Sequence, residues 1–507
     1  MQQSSLDSTL RCHHDSPLIY NLRVIAAPGV VLGTAFASSL QFVLLTPFLV
    51  TLGVSRTVAS VIWLVGPLTG LVVQPLVGIL SDEYHKRHAT RLPIVLVSSS
   101  ILIASHIAVA FTDIISEYLS ISPVLLLIMS FWMFDSASNA ITVTSRAMLS
   151  DRFTKEQRTR AFSVQQFWTS FGSIMGYLTA QVDWSGGGAQ RANDPDSLAT
   201  SVFYCFVISS IVVSVGTMMS FVSVYEKRAC RMRNHGPHTG ESFQFKKMCI
   251  NPTLISIMAG SALTWFGWFA QQIYQSDFIS SEIMPHEQLL SMTGVQASAF
   301  GLLISSGLSC LFGLFIPVIL SYTGNDSFYL FRIWAISCLL QGLVLIGSFQ
   351  VATIPGAIIW EASTGPMFAV ACTVPYMLVA NGCDHGSSGR VMAVVNVAVC
   401  LPQLIVSGIG GLVIESTKTN TAMFVAGGIL CTIASRILWV PVGFDVPPWS
   451  EKSTASILAS TSDLFFSYQE FQTRGDIPEF RVRGLSTPRF KEPLLLPLLP
   501  NTVDSHE

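Results

Sequence analysis

In the run FWMFDSASNAITVTSRAMLSD, residues 131–151, an aspartate and an arginine interrupt an otherwise apolar stretch. At about 100° per residue, Asp135, Asn139, Thr142 and Arg146 fall on one helical face over roughly 16 Å of rise. An ionised group at bilayer depth is costly unless it faces a protein interior or a wet cavity, so such residues mark substrate or ion pathways. The stripe reads as the wall of a pathway; the alternative is a structural Asp135 and an Arg146 that snorkels to the membrane edge.

The elements that must hold this stripe are set by composition. The chain has 507 residues, 50% hydrophobic and 11% charged, with a mean hydropathy of +0.54, far from the roughly one-quarter charged residues of a soluble domain. It is expected to be an all-α membrane protein. The net charge of −2 points to no partner by itself, and no nucleic acid is expected. The ten cysteines show no zinc spacing and none falls in an expected outer loop, so neither a disulfide framework nor a metal site is indicated. Cofactors are expected to be absent, and no nucleophile–base constellation suggests an enzyme.

Apolar runs long enough to cross the hydrocarbon, about 20 residues each, occur near 24–50, 57–80, 92–112, 122–147, 161–182, 200–224, 253–276, 294–320, 329–350, 355–380, 391–414 and 421–441. Basic residues cluster in alternate loops: Lys86, Arg87 and Arg91; Arg152, Lys155, Arg158 and Arg160; then Lys227, Arg228, Arg231, Arg233, Lys246 and Lys247. The opposite loops hold little beyond Arg56, Arg191 and Lys418, so both termini are expected in the cytoplasm. The chain divides into a tail 1–23, a six-helix half 24–224, a basic central loop 225–252, a second six-helix half 253–441 and a polar tail 442–507. Twelve spans in two six-helix halves are the major facilitator layout, in which the halves enclose a midplane site and rock about it.

Longer runs carry a more specific resemblance. SLQFVLLTPFLVTLGV (39–54) and WLVGPLTGLVVQPLVGILSD (63–82) resemble the first two helices of the sucrose transporter family. FWMFDSASNA with SRAMLSD resembles its fourth helix, WFGWFAQQIYQSDFIS (265–280) its seventh and VNVAVCLPQLIVSGIGG (395–411) its eleventh. The chain is identified as a member of this glycoside-transporting branch, which is similar also to animal proton-associated sugar transporters.

The resemblance implies roles. Asp135 matches an acidic residue that serves proton coupling and sugar contact, and Arg146 matches the arginine of the same helix. A carboxyl group withdrawn from water can keep a proton near neutral pH, which suits a proton and a sugar hydroxyl binding together. Gln41, Gln74, Asn139, Asn396 and Gln403 can donate and accept as sugar hydroxyls do, and each is equally suited to an interhelical contact. Gly78 and Asp82, four apart in GILSD, match the superfamily signature after the second span and are gating candidates; close packing and a capped turn are the alternative. Asp277 matches the second aspartate of the seventh-helix motif, as a gate or as a solvated helix end.

One departure stands out. Where the family's eighth helix carries an arginine, often beside acidic residues, this chain has Gln296 in SMTGVQASAFGLLISS and no acid in that run. Coupling is therefore expected to rest on Asp135 alone, with a single transition in the pH dependence, and facilitated diffusion stays open. Sugar faces stack on aromatic rings, and Trp63, Trp132, Trp265, Trp268, Phe42 and Tyr376 are candidates, Trp268 foremost; most membrane aromatics only pack. Pro47, Pro67, Pro75, Pro366, Pro375 and Pro402 mark bends where freed backbone can line a cavity.

The expected function is secondary transport of sucrose or a related glycoside, by proton symport, with a facilitative uniporter or a nontransporting sugar sensor as alternatives. The partners are a small-molecule sugar and the lipid bilayer. The plasma membrane is the expected location, a vacuolar or other endomembrane the alternative. In the tail, Arg483 to Pro488 resembles a phosphosite, making Ser486 a docking point for a phosphoserine-binding adaptor.

Overall fold

The computed structural model describes residues 17–54, 62, 64–182, 184, 195–225, 251–283, 294–322, 327–382 and 388–439. Trp63, the basic central loop, Ser486 and the tail lie outside these residues, and so do Arg56 and Arg191.

The first half comprises α1 (Pro17–Ala26), α2 (Val30–Thr51), α3 (Val65–His88), α4 (Leu92–Ala110), α5 (Thr112–Leu119), α6 (Pro123–Arg152), α7 (Lys155–Ala180) and α8 (Pro195–Tyr225). The second comprises α9 (Pro252–Phe278), followed by a π turn at Ile279–Ile283, then α10 (Gly294–Tyr322), α11 (Ser327–Ile346), α12 (Ile354–Ser363), α13 (Gly365–Gly382), α14 (Ser388–Thr417) and α15 (Thr421–Trp439). Asn251 starts α9 by accepting from the N–H groups of Thr253 and Leu254 at 2.9 and 3.2 Å, with Pro252 at the position that needs no donor.

Ten stretches among the described residues are long and apolar enough to cross a membrane. Helices α3 and α7 fill the two remaining expected positions and fall short for opposite reasons. The end of α3 carries Asp82 to His88, whereas α7 is polar along one side, with Gln165, Gln166, Thr169, Ser170 and Ser173. Large apolar side chains such as Val72, Leu76, Val97, Ile211, Val222, Leu311 and Leu412 face outward, as surfaces solvated by lipid do.

Two boundaries depart from expectation with a visible cause. The fourth span runs on to Arg152, because its last turn packs and pairs rather than emerging into water. The tenth is broken at Thr364, between α12 and α13. Pro366 has no N–H to give to the preceding turn, and Thr364 Oγ1 closes the break by donating to the Glu361 carbonyl at 2.6 Å.

The halves meet through α3 against α14 and α7 against α10, and again where α6 and α7 reach α13 and α14. At that last contact a buried apolar cluster joins Leu149, Phe153 and Phe162 to Tyr376, Met377, Val391 and Met392. This is the end that also carries Lys86, Arg87 and Arg152, called the basic end below.

Candidate functional site

A cavity of about 270 Å³ lies between the halves, near the lower edge of the roughly 300–1,000 Å³ usual for ligand pockets. From α7 it receives Gln165, Gln166, Thr169, Ser170, Ser173 and Tyr177, and from α9 Trp268, Gln271, Gln272 and Gln275. Helix α6 supplies Ser138, Thr142 and Arg146, and Phe42, Ser305, Thr364, Phe368 and Cys372 also line it. Across the halves, Gln166 Nε2 and Ser170 Oγ both reach Ser309 Oγ on α10, at 3.1 and 3.0 Å. Gln341 on α11 donates to Gln271 Oε1 at 3.1 Å and so holds one wall amide in place.

The wall keeps unused hydrogen-bonding capacity. Ser138 Oγ, Trp268 Nε1 and Gln275 Oε1 are buried without a partner; a buried polar group left unmade costs about 1–3 kcal/mol, which a ligand rich in hydroxyls would relieve. Trp268 is held edge-on against Phe368 with centroids 4.9 Å apart. Arg146 lies with its guanidinium carbon 3.6 Å from the ring centroid of Tyr376, and among the described residues no carboxylate pairs with it.

The expected site residues therefore separate into groups. Arg146 and Trp268 line this cavity. Asp135, Gln41, Gln74, Asn139 and Asn396 do not; they belong to a second polar group. Gln41 on α2 bonds the Asp135 carboxylate, whose Oδ2 has no hydrogen-bond partner. Asn139 accepts from Gln74 Nε2 at 2.6 Å and donates to Thr69 Oγ1 at 3.1 Å and to the Asp135 carbonyl at 2.9 Å. Asn396 reaches Cys400 Sγ at 3.2 Å. Gln41, Gln74 and Asn139 make the interhelical contacts that were their alternative reading, whereas the Asn396 bond stays within α14. Gln403 is half-buried on α14 and outside the cavity lining. Among the aromatics, Phe42 lines the cavity while Trp132 is 52% exposed on the outer face.

At the basic end the charges are saturated. Arg91 is 1% exposed, although a loop position was expected for it. It pairs with Asp82 and Asp151, each at 2.7 Å, and donates to Ser81 and Ser388. Ser388 donates to Asp151 Oδ1 at 2.7 Å, and His85 Nε2 stands 3.6 Å from Asp151. Asp82 also caps the other half, accepting from the N–H groups of Gly389 and Arg390 at 2.9 and 3.0 Å at the positive end of α14. The helices can approach this closely because Gly78 faces the Gly389 carbonyl, where a Cβ would stand 2.8 Å away. Arg158, the second buried arginine counted as a loop charge, donates across the halves to the Ala380 carbonyl. Gly78 and Asp82 thus hold the two halves together, whereas Asp277 does not. It accepts from Asn420 Nδ2 at 2.8 Å within its own half, beside Glu282, which binds the same amide at 2.9 Å.

The α7 and α9 amides escaped the sequence reading, although Gln165, Gln166 and Thr169, like Gln271, Gln272 and Gln275, share one helical face by the same 3.6-residue turn that grouped Asp135 with Arg146. Glu361 was also missed, a fully buried carboxylate at the broken tenth span.

The Major Facilitator Superfamily profile matches residues 29–407. The chain belongs to that superfamily. Among relatives of this facilitator, the sucrose transport protein SUC4 of Arabidopsis thaliana is 27% identical over 434 residues, covering 76% of this chain and 82% of the relative. The sucrose transport protein SUT3 of Oryza sativa subsp. indica is 24% identical over 425 residues, covering 74% and 83%. The proton:xylose symporter XylE superposes with a TM-score of 0.61 at 15% identity, over 84% of this chain and 96% of that one. The Escherichia coli fucose:proton symporter FucP gives 0.59 at 12%, over 83% and 98%. A bacterial homologue of the iron transporter ferroportin superposes equally well, at 0.60 and 11%, so the facilitator fold does not select a cargo.

Proposed function

We propose that this protein carries a sugar of the sucrose or glycoside class across a membrane by alternating access, coupled to protons through Asp135. The observation that carries the reading is the cavity between the halves, walled by amides, hydroxyls and Trp268 with donors and acceptors left open. Amides match hydroxyls in both roles. The sucrose transport proteins among the relatives support the cargo class. The sealed basic end, facing the cytoplasm by the positive-inside rule, makes this conformation the one open to the opposite side. Rocking the halves would break the Asp82–Arg91–Asp151 contacts to α14.

In this reading Asp135 binds the proton and Gln41 orients its carboxyl group. Reconstituted vesicles loaded with unlabelled sucrose should show counterflow of radiolabelled sucrose, and an imposed proton gradient should drive accumulation. Asp135→Asn keeps shape but cannot cycle a proton, so accumulation should collapse while counterflow persists. Wild-type accumulation in that variant removes Asp135 from coupling; indifference of the wild type to the gradient makes the protein a uniporter.

A further inference from the structure

We propose that Glu361 is a second proton-carrying group of the transport cycle, in the half opposite Asp135. The proposal rests on the symport reading above.

Glu361 lies in the last turn of α12, just before the break at Thr364. It is fully buried. Ser298 Oγ on α10 approaches its Oε1 at 3.3 Å, and Oε2 has no hydrogen-bond partner. No cation pairs with it among the described residues. The carboxyl group occupies space left open by the glycine at residue 301: a Cβ there would overlap Oε2 and stand 2.9 Å from Cδ. A buried carboxylate without a counter-ion is unfavourable, and the carbonyls at the end of a helix add negative potential. The pocket therefore accommodates the neutral acid.

Its surroundings connect it to the cavity and to the other half. Thr364 lines the cavity, donates to the Glu361 carbonyl and lies 3.4 Å from Ser305 Oγ, another lining group. Tyr177, on α7 of the first half, also lines the cavity and is within electrostatic reach of Glu361. From α10 the facing residues are Ser298 and Gly301, and Glu282 on the π turn beside α12 is engaged by Thr419 and Asn420 instead. Discontinuous helices at the boundary between halves are where transporters place coupling sites. With the cavity open, hydronium gives its proton to Oε2 and leaves as water. When the halves rock, α7 moves against α10 and α13, and the proton returns to water on the other side.

The decisive experiment is infrared titration of the full chain in vesicles without sugar, following the carbonyl stretch of protonated carboxyl groups with pH. The expected result is a titrating band that is lost in Glu361→Gln and retained in Asp135→Asn. A titration identical in the wild type and Glu361→Gln overturns the proposal. Ser298→Ala keeps the acid and removes its one hydrogen bond, so it should displace the midpoint of this band; an unmoved midpoint counts equally against the assignment. Sucrose counterflow against pH should show two transitions, one lost in each carboxyl variant, where Asp135 alone would leave one. A wild type without sucrose counterflow refutes the sugar reading, while the titration still decides Glu361.

Discussion

The basic end and the central cavity use the same kinds of polar side chain to opposite effect. At the basic end Arg91 serves Asp82, Asp151, Ser81 and Ser388 together, and Asp82 spends its remaining capacity on backbone N–H groups of α14. Around the cavity, Arg146 rests on Tyr376 and pairs with no carboxylate among the described residues, and Trp268 Nε1, Ser138 Oγ and Gln275 Oε1 have no partner. Buried polar groups are stable where they are paired. The saturated region is thus a lock between halves, and the unsaturated one is a place where something else is meant to bind.

The strongest way to break this contrast is Arg91→Met. Removing one member of a buried charge network leaves the others uncompensated, at a cost of about 3–5 kcal/mol, and the variant should show a large loss of thermal stability in detergent. Adding Asp82→Asn and Asp151→Asn should recover most of that loss, because no orphaned charge remains. A stability unchanged by Arg91→Met would mean that the network is not the lock.

A smaller effect is expected from Arg146→Lys. The guanidinium lies flat on Tyr376, an interaction worth roughly 0.5–2 kcal/mol that a point charge on a flexible stem does not reproduce. Apparent sucrose affinity should fall by a few-fold up to about thirtyfold, with stability close to wild type. Equal affinity in the lysine variant would show that only the charge matters.

The smallest effect belongs to the rim of the lock. Glu83 meets Arg390 at 2.6 Å and Lys86 at 3.3 Å, but its side chain is 45% exposed. Surface pairs contribute about 0–1 kcal/mol, so Glu83→Gln should shift thermal stability little, and less still at high salt. A loss comparable to that of Arg91→Met would erase the distinction between the buried network and its exposed edge.

Sequence alone determined that the chain is built of apolar helices, ten of them long and apolar enough to span among the described residues, the intrahelical stripe that singled out Asp135 and Arg146, and the Gly78–Asp82 signature. All of these are local: a run of apolar residues must bury its backbone hydrogen bonds as helix wherever it crosses lipid, and spacing along one helix follows from its 3.6-residue turn. The positions of Gln41, Gln74, Asn139 and Asn396 beside one another rather than on the cavity wall came only with the packing of helices. So did the burial of Arg91 and Arg158, whose sequence neighbourhoods look like solvated loops. Glu361 is the clearest case, since a glutamate in IIWEAS near a span's end gives no sign that Gly301 and Ser298, some 60 positions earlier, would form its pocket. Partners across helices far apart in sequence are chosen by the crossing of the two halves, and no periodicity within a single helix encodes that choice.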